Sequence, residues 1–136
     1  MLTHTELLDQ ANRLRRQAVV AAPGRTAGLV ETRVAQLLRS PTAGQLPDDL
    51  TEGEQLVVDL TEQFLIDVLG ITDAQFARLG EYWSEADQIA IMFQLAFADG
   101  FAKLAKVHPD AIELLSLDAV EPVDPVDPVD PVQETS

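Results

Sequence analysis

The chain contains no cysteine. That excludes disulfides, thiolate nucleophiles, cysteine-ligated zinc and iron–sulfur clusters, and with them all thiol-based redox chemistry. Aromatic residues are scarce, with one Trp, one Tyr and five Phe, so the core is expected to be mostly aliphatic. The two histidines, His4 and His108, stand near the ends of segments far apart in the chain. They offer no pair for a metal or for general-base work, and neither a metal nor a cofactor is expected. Long apolar runs are also missing. The longest, Ile89 to Ala98, is interrupted by Gln94 and is about half the roughly 20 residues that a membrane span needs, so it reads as a buried helix. Met1 to Glu6 lack the basic start and apolar stretch of a signal peptide, which makes a cytoplasmic location the default expectation.

Cations are few beyond residue 40. Residues 1–40 hold six basic residues against Glu6, Asp9 and Glu31, whereas the remainder holds three basic and twenty acidic residues, for a formal total of -14. Such an acidic body repels nucleic-acid backbone and anionic lipid, so neither nucleic acid nor a membrane is expected as a partner. Arg13, Arg15 and Arg16 could form a basic patch on the first helix; the plainer reading is that they are solvated or paired with the acidic remainder.

What is present is helical periodicity. At 136 residues the chain suits one domain with one core, and residues 1–116 are read as that domain. Leu7, Ala11, Leu14 and Ala18 recur at steps of four, three and four, which predicts a first helix from Thr5 to about Ala21, ended by Pro23-Gly24. A second, Thr26 to Arg39, carries Leu29, Val30, Val34, Leu37 and Leu38 on one face and closes at Ser40-Pro41, because the residue before a proline is driven out of helical geometry. Thr51 and Glu54 form a capping box that opens a third helix to about Leu69, with Leu56, Leu60, Phe64 and Val68 on one face and Glu62 opposite. Thr72 with Gln75 opens a short fourth helix bearing Phe76, Leu79 and Trp83. Ser84 with Asp87 opens a fifth, Glu85 to Lys106, apolar on most sides and therefore expected at the centre of the bundle. Asp110 is read as the cap of one more short helix, Ala111 to Leu115. From Glu121 three copies of Val-Asp-Pro follow. Proline at every third position excludes helix and sheet, so residues 117–136 are read as an extended, disordered acidic tail.

Candidates for chemistry are dispersed. Asp99 lies in the apolar fifth helix, where a partly buried carboxylate could act as an acid or base; the blander reading is a core-rim residue or an ion pair. Gln94 lies mid-helix in the same run and must find an inter-helix or inter-subunit hydrogen bond if buried. Asp59 and Glu62 are three apart on the third helix and read as a solvated acidic face rather than a cation site.

The order Leu50-Thr51-Glu52-Gly53-Glu54, then Ile71-Thr72-Asp73-Ala74-Gln75-Phe76, then Tyr82-Trp83-Ser84-Glu85-Ala86-Asp87-Gln88-Ile89, resembles the C-terminal half of the carboxymuconolactone decarboxylase and alkylhydroperoxidase D-like family. Members read similarly as an "LTERE" helix start, a "VSDALF" turn and an "FSDEEIVEL" start of a long apolar helix. Arg33-Val34-Ala35-Gln36-Leu37 also resembles the "RVAQL" that precedes the family's catalytic Cys-x-x-Cys, but here Leu38-Arg39-Ser40-Pro41-Thr42-Ala43-Gly44 stands in its place. The chain thus looks like a shortened, cysteine-free member, and no family catalytic residue maps onto it. The resemblance implies an all-α alkylhydroperoxidase D-like domain of about five helices. It also implies a homo-oligomer, trimeric or hexameric, or a hetero-oligomer with a relative, for which Gln94 and Phe101 are the candidate interface residues. Peroxidase activity is not expected, since it needs an attacking and a resolving thiol. Three functions are compatible: a structural or partner-binding subunit; a cofactor-free decarboxylase or lyase on a small organic acid or lactone, with Asp99 or Arg33 acting; and an acidic adapter working through its tail.

Overall fold

The computed structural model describes residues 3–107, the side chain of His4 excepted, so the readings at His108, Ala111–Leu115 and the Val-Asp-Pro tail lie outside the described residues. Among the described residues there are five α-helices and no strand: α1 (His4–Ala21), α2 (Thr26–Leu37), α3 (Glu52–Ile66), α4 (Asp73–Leu79) and α5 (Glu85–Val107), with a single 3-10 turn at Val68–Gly70 between α3 and α4.

Capping decides where the helices begin. The boxes of Thr51 with Glu54 and of Thr72 with Gln75 form as expected, each residue's side chain taking the other's backbone N–H. A third box, Thr3 with Glu6, opens α1 at His4. Thr51→Ala is expected to cost about 1 kcal/mol, read as a shift in the urea midpoint at unchanged slope.

The helix ends differ from the expectation for identifiable reasons. α3 stops at Ile66 because the Gln63 amide donates to the Asp67 carbonyl at 2.7 Å while the Asp67 N–H returns to Gln63, closing the last turn before Gly70. α2 stops at Leu37 because Arg39 turns into the left-handed region at φ 60°, and the Ser40 and Arg39 N–H groups reach back to Ala35 and Gln36. Glycine is the usual occupant of that position. Arg39→Gly is therefore expected to raise stability slightly, by up to about 1 kcal/mol in thermal unfolding.

The core is aliphatic: Val30, Val34, Val57, Leu60, Leu79, Ile91, Leu95 and Ala98 are buried together, with Phe64, Phe76 and Trp83 packed at its margin. α5 packs on α1, α2 and α3, as expected of a central helix, and shares the middle with α2, which packs on both α3 and α5, while α4 packs on α3. α5 buries a stripe at Ile91, Gln94, Leu95 and Ala98 and leaves its other side outward.

The α1 stripe is corrected in part: Ala18 faces inward as expected, but Leu7 and Leu14 are more than half exposed and Asn12 is buried instead. The helix is turned by about one residue because Arg15 is drawn in: its guanidinium sits 5.1 Å from the centre of the Phe101 ring and pairs with Glu31 at 3.2 Å. On α3, Val57, Val58, Leu60 and Thr61 are buried, and Val68 stands exposed beyond the helix.

One close approach fixes α3 against the α4–α5 turn. The Trp83 indole donates to the Gly53 carbonyl at 3.1 Å, and a Cβ on Gly53 would lie 2.9 Å from Cβ of Tyr82. Gly53→Ala must move that turn and should destabilise by about 1–3 kcal/mol, measurable as a lowered midpoint with loss of the Trp83 near-ultraviolet signal.

Candidate functional site

Two features are candidates for function: the polar residues held between the helices, and an apolar surface along α4 and α5. The polar residues form pairs, some joining different elements and some within one helix. Glu31 on α2 stands between α1 and α5. Its Oε1 accepts from Arg15 Nη2 at 3.2 Å and its Oε2 from Gln94 Nε2 at 2.9 Å. Gln94, expected at an inter-helix or inter-subunit hydrogen bond, makes the first of these and is fully enclosed within the protomer. Phe101 lies half-buried, stacked on Phe97 at a centroid distance of 6.0 Å beneath Arg15. Both residues proposed from the sequence for an interface thus converge on the Arg15–Glu31 pair. Each oxygen of Glu31 accepts one hydrogen bond, so the group ties three helices together.

Arg33 on α2 donates to Gln36 at 2.9 Å and to Glu62 on α3. Glu62 is therefore an inter-helix partner, not part of a solvated face; Asp59 accepts from Gln55 at 2.9 Å and stays exposed. Asp99 lies one turn before Lys103, whose Nζ is 2.9 Å from its Oδ1. Arg33 and Asp99, the two residues suggested for a decarboxylase-like reaction, belong to separate ion pairs, and each is occupied by its own partner. Among the described residues no group of three or more His, Asp and Glu comes together in a way that could hold a metal ion, and no helix is long and apolar enough to cross a membrane.

A further cation escaped sequence reasoning. Arg25, in the α1–α2 turn, grips the Glu54 carboxylate with Nε and Nη2, each at 2.8 Å, and reaches the Asp49 carboxylate at 3.1 Å. Glu54 was legible as a capping residue; its second duty depends on tertiary placement. The Arg25 hydrogen bond, helped by the Thr51 backbone, holds the Glu54 carboxyl down from about 4.5 to about 2, and Glu54 raises Arg25 above its ordinary value. A folded-state value below the unfolded one adds stability that is complete above about pH 4.5 and is lost as pH falls towards 2. Glu54→Gln should flatten that part of a urea-midpoint-against-pH curve, and salt should weaken the effect because Arg25 is exposed. The Tyr82 hydroxyl donates to Glu52, which raises the tyrosine above its ordinary value.

The apolar surface is the second feature. Phe76, Ile89, Met92, Phe93 and Ala96 line a shallow groove of about 400 Å³ between α4 and α5, with Glu85 and Gln88 at its N-terminal end. Ile89 and Phe93 are 52% and 59% exposed, and the outward side continues through Gly100 and Leu104 to Val107. Sequence periodicity marks α5 as apolar on most sides, but not which side remains uncovered. No family model, no curated protein and no solved structure matches the chain.

Proposed function

We propose that this protein is a non-redox relative of the carboxymuconolactone decarboxylase and alkylhydroperoxidase D-like family that works as a structural or partner-binding subunit, associating through the outer face of α4 and α5. The observation that carries the reading is the run of exposed Ile89 and Phe93 beside the Phe76–Met92 groove, a contiguous apolar surface of the kind that marks interaction sites. The polar pairs support it from the other side. Arg15–Glu31, Arg33–Glu62 and Asp99–Lys103 are each paired within the protomer, which suits a scaffold. The family resemblance rests on the order of capped helices and on the long apolar α5; the missing cysteine pair is where the chain departs from the family, and it is why the reading is non-redox.

The test is Phe93→Glu. Phe93 makes little use of the protomer's own core, so the variant should keep its helical circular dichroism and melting temperature while losing either self-association in sedimentation velocity or the fluorescence of an apolar dye. A variant unchanged in both overturns the reading.

A further inference from the structure

Gly100 poses a question that the protomer does not answer. Glycine within a helix weakens it by about 1 kcal/mol relative to alanine, yet a Cβ at Gly100 would meet nothing within 4 Å. Nothing inside the protomer requires the glycine. Ile89, Phe93, Ala96 and Gly100 are all exposed and follow one another at steps of four, three and four, the spacing of a helix–helix seam, with large residues towards the N-terminal end and small ones towards the C-terminal end.

We infer that the occupant of this face is a second copy of the same chain, its α5 laid antiparallel on the first about a two-fold axis close to Ala96 and Phe97. The inference rests on the association reading above and names its partner. The register follows from one criterion: the largest exposed seam residue, Phe93, sits over the partner's Gly100, where the missing side chain leaves room. Antiparallel pairing in that register also sets Ile89 against the partner's Leu104 and Ala86 against the partner's Val107. Exposed apolar residues thus meet exposed apolar residues, and the exposed Glu85 in the first turn of α5 flanks the seam on the same edge as the partner's Lys103. A parallel pairing would instead stack Phe93 on Phe93 and like charges at both ends. The contact is isologous, so it closes at two chains and does not propagate.

Because the chain has no native cysteine, single-cysteine variants read the geometry directly. With a thiol-reactive linker of about 8 Å, Ala96→Cys alone should cross-link chain to chain, since the two copies of residue 96 are offset by only about 1.5 Å along the axis. Ile89→Cys or Leu104→Cys alone should not, their own copies being about 22 Å apart, while an equimolar mixture of the two should. Gly100→Leu should reduce the dimer at least tenfold in light scattering at fixed concentration without lowering the melting temperature of the dissociated chain, because the added side chain clashes only with the partner. Cross-linking by Ile89→Cys alone, or undiminished association of Gly100→Leu, overturns the antiparallel register. A wild-type chain that stays monomeric at 100 µM overturns the second copy as occupant; if that monomer still binds an apolar dye in a Phe93-dependent way, the association reading stands with a different partner.

Discussion

Leu95→Ala is expected to destabilise the protein by about 3–5 kcal/mol, the largest effect of any single core truncation. Leu95 is wholly buried on the inner stripe of α5 and belongs to the same cluster as Val30 and Val34 of α2 and Val57 of α3. Truncation removes the transfer free energy of three carbons and leaves a void that helices pinned at both ends cannot fill by collapsing. Thr3, Thr51 and Thr72 fix helix starts, and the Trp83–Gly53 hydrogen bond fixes the α4–α5 turn. In a domain of this size the melting temperature should fall on the order of 10 °C or more. A loss under 1 kcal/mol would mean that the α2–α5 layer is not the centre of the core.

Glu31→Leu should cost about 2–3 kcal/mol, for a different reason. The substitution withdraws the carboxylate from Arg15, whose side chain is only 12% exposed, and from the enclosed amide of Gln94. Removing one member of a buried polar cluster leaves the others desolvated and uncompensated, which costs more than the cluster contributes as a whole. The combined variant Arg15→Met/Glu31→Leu/Gln94→Leu is therefore expected to recover at least half of the loss, because it withdraws the polar groups together. Chemical denaturation of the single and triple variants measures the difference. If the triple variant is less stable than Glu31→Leu alone, the cluster stabilises the fold outright rather than satisfying groups that are already buried.

How far the sequence foretold this arrangement depended on the range of the interaction. Local signals held: the capping boxes at Thr51 and Thr72 and the Ser84 hydroxyl accepting the Asp87 N–H stand where the spacing placed them. The Thr3–Glu6 box carries the same T-x-x-E signature, two residues ahead of the Thr5 start that the apolar repeat predicts. Faces were less legible. Leu7 and Leu14 have the spacing of a buried stripe but stay outside, because an ion pair to a residue 16 positions away, with an aromatic ring on α5, decides the rotation of α1. Gln94 was readable as a residue in need of a partner; that the partner is Glu31, 63 positions away, was not. For the candidate site the limit is physical as well. An apolar helix advertises how much of it can be buried, and only the packing of α1 and α2 on one side shows which part is left to meet another molecule.

The central claim, that the outer face of α5 is covered in the functional state, is tested most directly by hydroxyl-radical footprinting of the unsubstituted chain across a concentration series. Ile89 and Phe93 should lose reactivity as concentration rises, while Leu69, 94% exposed and remote from the seam in sequence, keeps its own. Equal reactivity of all three residues at every concentration would contradict the account.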